Sequence, residues 1–142
     1  MLSAFAEIPD HCGGDMKLRI KGNSIRLRLL RSEVACLIDS GLVEETVYLG
    51  PGDQSAFTYA LAVDSGLAET QLLYKPPKLV ILLPKEAAAT WAGTDQAGVY
   101  AVVEIEGHGT LDLIVEKDLA CLDLSDADNK DTFPNPEIGA VC

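Results

Sequence analysis

The chain is short of positive charge. Eleven Lys and Arg stand against 22 Asp and Glu, for a formal net charge of −11, which argues against a general nucleic-acid binder. No apolar run is long enough to span a bilayer, and no basic region followed by an apolar block marks a secretory signal. Aromatic residues are few, but a hydrophobic content of 48 % is that of a globular chain rather than a disordered one. The four cysteines, Cys12, Cys36, Cys121 and Cys142, form no CxxC pair and no zinc-site spacing. Cys36 stands between apolar residues and reads as a buried free thiol, and a reducing cytoplasm is the expected compartment. Neither His11 nor His108 has a nucleophile at a recognisable spacing, and no Gly-rich phosphate loop is present. The chain therefore carries no catalytic motif.

The scarce positive charge is concentrated. All four arginines, and six of the eleven basic residues, lie between Lys17 and Arg31 with no acid among them. Lys17, Arg19 and Lys21 alternate with Leu18 and Ile20, while Arg26 and Arg28 alternate with Ile25, Leu27 and Leu29. Side chains on a strand alternate between faces, so each run predicts a strand with one basic and one apolar face. Gly22-Asn23 between them fits a two-residue hairpin loop. Five cations on one face repel, by a few tenths to roughly 1 kcal/mol per close pair. They call for acids from other strands, an anionic ligand, or open water.

After Leu30 the period becomes helical. Ser32 is a candidate cap, Glu33 enters the first turn, and Gly41 is placed to end the helix. Further strands are predicted over 43–49, 55–63, 69–75, 78–83, 98–106 and 110–117, with a second helix over 85–92 after Pro84. Residues 1–15 read as an arm and 16–120 as one domain. Residues 121–142 read as an acidic, Pro-containing tail in which Phe133 tucks against the body.

An internal repeat emerges within the domain. With Glu33 over Glu86, RLRLLRSEVACLI falls on LVILLPKEAAATW without a gap and sets Trp91 against Ile38, and one residue of slippage then puts Phe57, Tyr59 and Leu61 on Leu111, Leu113 and Val115. Each half, about 16–64 and 68–118, is then strand-strand-helix-strand-strand. The expected fold is α+β: an antiparallel eight-stranded barrel, or strongly curved sheet, with two helices. On the last two strands Glu104, Glu106, Asp112 and Glu116 share polar faces. If those faces and the basic ones line one lumen, Lys17, Arg19, Lys21, Arg26 and Arg28 would grip a phosphorylated small anion. The four carboxylates would be candidates to hold Mg²⁺. The competing expectation is a solvated face that binds an acidic protein surface or a second copy of the chain.

The stretches MKLRIKGNSIRLRLLRSEV and VEKDLACLDLSDADNKDTFPNP resemble the opening and closing signatures of an uncharacterised family of small bacterial proteins, a domain of unknown function. That likeness implies a cytoplasmic bacterial protein and transfers no catalytic residue. The duplicated eight-strand plan is also similar to the CYTH, or triphosphate tunnel, fold, which implies triphosphate chemistry in a charged lumen. Its ExExK hallmark is replaced here by KLRIK, with Lys17, Arg19 and Lys21 at the alternating positions.

Overall fold

The computed structural model describes residues 15–120 and 131–134. The arm over 1–15, except for Asp15, and the tail over 121–142, except for 131–134, fall outside the described residues. The elements follow in chain order as β1 (Lys17–Ile20), β2 (Ser24–Leu29), α1 (Arg31–Ser40), β3 (Leu42–Tyr48), a 3₁₀ turn (Asp53–Ser55), β4 (Ala56–Asp64), β5 (Gln71–Lys75), β6 (Lys78–Pro84), α2 (Lys85–Gly93), β7 (Gly98–Ile105) and β8 (Gly109–Lys117).

The strands form two four-stranded mixed sheets, ordered β1-β2-β8-β7 and β3-β4-β6-β5. The expected closed antiparallel barrel is therefore not formed. β2 runs parallel to β8, and β4 runs parallel to β6. The reason is the crossover in each half. The first hairpin lies in one sheet, and its helix carries the chain to the other, where it meets the second half's first hairpin. Four antiparallel hairpins thus meet two by two along parallel central strands. No charged lumen exists among the described residues, and the strand faces that would have lined it are the outer face of an open sheet.

Alternation decides which face is buried. Ile25, Leu27 and Leu29 of β2 and Leu111, Leu113 and Val115 of β8 point inward from the first sheet. Leu61 of β4 and Leu79, Ile81 and Leu83 of β6 do so from the second. With Val34 and Leu37 of α1 and Ala88 and Trp91 of α2 they form one continuous core. The strand pairing is the same in the two sheets. Leu27 lies beside Val115 as Ile81 lies beside Leu61. That equivalence sets an offset of 54 residues, one more than matching Glu33 to Glu86 gives. Trp91 consequently matches Leu37, which is fully buried, rather than Ile38, which is 47 % exposed.

The turns follow their residues. Lys21 and Ser24 exchange backbone hydrogen bonds of 3.2 and 3.1 Å across Gly22-Asn23, and Gly22 takes the positive φ of +57° that a twist-matched two-residue loop requires. Gly41 ends α1 at φ +82°, its N–H bonded to the Leu37 carbonyl at 2.8 Å. The start of α1 departs from expectation. Leu30 is the cap residue, and Ser32 lies two residues on, within the first turn, giving its N–H (3.2 Å) and its hydroxyl to the Asp131 carboxylate. Asp131 thus does from 99 residues away what a local cap would do. The segment it belongs to is fastened by bonds from Phe133 N–H to the Asp118 carbonyl (2.9 Å) and from Ala120 N–H to the Phe133 carbonyl (2.8 Å).

Cys36 is buried, as expected, but it is disulfide-bonded rather than a free thiol. Disulfides persist in oxidising compartments, so the cysteines give no support to a cytoplasmic location. Thiol titration of the unreduced, denatured protein should find no more than two reactive thiols among its four cysteines; four would refute the bridge. No described helix is long and apolar enough to cross a membrane.

Candidate functional site

The hairpin β1–β2 forms one edge of the first sheet, and its alternation puts every cation on the outer face. The register sets like charges opposite each other, Lys17 across from Arg28 and Arg19 across from Arg26. Asn23 docks the hairpin loop onto β8: its side-chain amide donates to the Thr110 carbonyl, and its own carbonyl accepts from Asp112 N–H at 3.1 Å.

One carboxylate serves two of these cations. Glu116 lies opposite Arg28 in the sheet, and its Oε1 sits 3.3 Å from both the Arg26 Nε and the Arg28 Nε. Its other oxygen accepts from the Tyr100 hydroxyl at 3.2 Å. Arg28 makes a hydrogen bond to Oε1. The Arg26 Nε is equally close but lies outside hydrogen-bond geometry, which leaves a buried donor unsatisfied. Lys17 pairs with the buried Asp118 at 3.0 Å. Among the described residues, Arg19 and Lys21 make no ion pair. A small open cavity of about 180 Å³ lies against them, lined by Arg19, Lys21, Ser24, Arg26 and Ile114. All five expected cations therefore share one face. Arg26 and Arg28 point toward β8, and they do so on an open sheet, with side chains 30 and 36 % exposed.

The four carboxylates considered for Mg²⁺ are less concentrated. Glu116 is engaged by the arginines. Asp112 lies on the same face, four residues away along the strand and therefore roughly 13 Å off, opposite Ser24 and Val102. Glu104 lies opposite Thr110 on β7, and Glu106 is exposed in the turn beyond it. Among the described residues no three His, Cys, Asp or Glu gather as a metal site.

Two charged groups on inward-facing positions went unrecognised in the sequence. Glu33, on the buried side of α1, is only 1 % exposed. It accepts the Leu30 N–H at 2.9 Å and the Asp15 N–H at 3.2 Å, tying the helix start to the segment that leads into β1. Burial raises its pKa above the ordinary 4.5, outweighing those two hydrogen bonds. At the 54-residue offset its counterpart is Ala87, so this acid breaks the repeat. An acid whose pKa is raised by folding contributes stability that is complete below its unfolded pKa and lost as pH rises through the folded one. Glu33→Gln cannot ionise, so it should gain stability relative to the wild type as pH rises from 4.5 through the raised pKa of the folded acid. Urea unfolding across that range tests this; a difference independent of pH would show an ordinary carboxylate. Lys117 is the second such group. It continues the inward series Leu111, Leu113, Val115 and is 7 % exposed. A lysine in phase with an apolar strand face is the signal that would have found it.

No curated protein and no solved structure matches the chain. The model of a family of unknown function, DUF7009, matches residues 16–137, from just before β1 to beyond Phe133, and the chain belongs to that family.

Proposed function

We propose that the outer face of the β1–β2 hairpin binds a small phosphate-type anion at Arg19, Lys21, Ser24 and Arg26. The observation that carries this is a conflict of charge left unresolved inside the chain. Arg19 stands directly opposite Arg26, and neither Arg19 nor Lys21 has an ion pair among the described residues. Such an arrangement costs stability unless water or an anion dissipates it. Arg26 lines the cavity with a side chain 30 % exposed, and its guanidinium carries donors besides the Nε that faces Glu116. The cavity of about 180 Å³ is below the roughly 300–1,000 Å³ of drug-sized sites. It therefore fits an inorganic anion or one phosphoryl end of a longer ligand, with the remainder in solvent.

This is a binding function. Of the carboxylates on β7 and β8, Glu116 balances the arginines, and among the described residues no three acids gather as a metal site. The test is thermal unfolding with pyrophosphate, inorganic triphosphate and ATP, each with and without Mg²⁺. A rise in Tm that saturates with ligand supports the site. No rise with any of them in a cooperatively melting protein rejects it.

A second reading draws on Tyr100 and Val102, 62 and 64 % exposed on the same face. An acidic protein surface would cover both and meet the same cations. Salt-sensitive self-association in sedimentation, with no anion effect on Tm, would favour it.

A further inference from the structure

α2 carries alanine at four of its nine positions, 87, 88, 89 and 92. Ala88 is buried, but Ala89 and Ala92 face α1 without filling the space beside Ile38, a large apolar side chain left 47 % exposed. The result is an apolar groove of about 440 Å³ between the helices, bordered by Val34, Ile38, Ala89 and Phe133. It is continuous with a second cavity of about 570 Å³, since Arg31, Ala92, Gly93 and Phe133 line both. The second cavity is polar at one end, where Lys117 reaches it beside Thr94 and Asp95.

Two cations meet at Phe133, which lines both cavities. The Arg31 guanidinium lies 5.5 Å from the centre of the Phe133 ring, and the Lys117 ammonium lies 5.2 Å from it. Cation–π attraction holds both on one ring. Neither makes an ion pair among the described residues. Lys117 donates one hydrogen bond, to the Thr94 carbonyl at 2.6 Å, and an ammonium has three donors. Burial lowers its pKa and Asp95 opposes that shift, so an anion beside it would favour its charged form.

We propose that this cleft binds a small amphipathic carboxylate, its head between Arg31 and Lys117 and its hydrocarbon tail along Val34, Ile38 and Ala89. Charge complementarity selects the head and the apolar groove selects the tail. The acids at the rim, Asp39 and Asp95, disfavour a second negative charge. The site is on a different part of the molecule from the β1–β2 face, so either can fail without the other.

The probe is decanoate below its micelle concentration, with decanol and inorganic phosphate as comparisons. The readouts are the fluorescence of Trp91, the chain's single tryptophan, and the Arg31 Nε–Hε NMR resonance. Trp91 is buried and bonds through its indole N–H to the Ala97 carbonyl at 3.1 Å, at the cavity wall. Decanoate should bind saturably and shift the Arg31 resonance, and neither comparison should reproduce this. Arg31→Gln should weaken binding at least about tenfold, the worth of one charge-assisted hydrogen bond. Ile38→Asp, at an exposed position, should abolish it without unfolding the protein. No saturable binding of decanoate, equal binding of decanol or phosphate, or unchanged affinity in both variants would overturn the proposal.

Discussion

Replacing Trp91 with alanine should cost about 3–5 kcal/mol of folding stability, a large share of the roughly 5–15 kcal/mol available to a domain. The side chain is fully buried. It joins α2 to both sheets and fixes the start of β7 through its bond to the Ala97 carbonyl. A cavity of that size cannot collapse without moving the helix. The repeat sharpens the expectation. Leu37, the matching position on α1, is equally buried, so Leu37→Ala should cost about 2–5 kcal/mol. Ile38→Ala, on the exposed side, should fall within about 0.5 kcal/mol of wild type. Urea unfolding of the three variants separates the two alignments of the halves. If Ile38→Ala behaved like Trp91→Ala and Leu37→Ala were mild, the 54-residue offset would be wrong.

The second large effect is on ligand binding. An anion present at a hundred times its Kd adds about 2.7 kcal/mol to the native state. In an Arg26→Ala/Arg28→Ala variant that increment should vanish, because the site loses Arg26 from its lining and the neighbouring positive charge of Arg28 with it. The variant also frees Glu116, which then keeps only the Tyr100 hydroxyl. This leaves a partly sheltered carboxylate on a face that has lost two of its cations. A variant retaining the full increment would place the anion elsewhere on the molecule.

The two periods made the elements legible. β2 and β8 alternate strictly, and the basic face was visible because its five cations fall on odd or even positions of one hairpin. The turn at Gly22-Asn23 and the end of α1 at Gly41 were fixed by residues suited to positive φ or tight loops. Partnership between strands was not legible. Nothing local in β2 says that its second neighbour is β8, or that the two run parallel, because the helical crossovers decide both. Matching Glu33 to Glu86 puts the helices one residue out of step, because a shared glutamate outweighs the burial pattern, whereas Phe57, Tyr59 and Leu61 matched to Leu111, Leu113 and Val115 already stand at the 54-residue offset. In the fold Glu33 is buried and Glu86 is not. The cap of α1 was out of reach for a similar reason. Asp131 lies far along the chain in a stretch that reads as a solvated acidic connector. The Cys36 bridge was likewise invisible, since spacing alone pairs no cysteines.

The chain's four arginines give a direct test of the anion site. An NMR spectrum of their Nε–Hε groups should contain four resonances, from Arg19, Arg26, Arg28 and Arg31. On titration with pyrophosphate, those of Arg19 and Arg26 should move together and saturate. The resonance of Arg31, which lies beside Phe133 in the other cleft, should stay in place. Movement confined to Arg31, or small unsaturating drifts of all four, would contradict an anion site on the β1–β2 face.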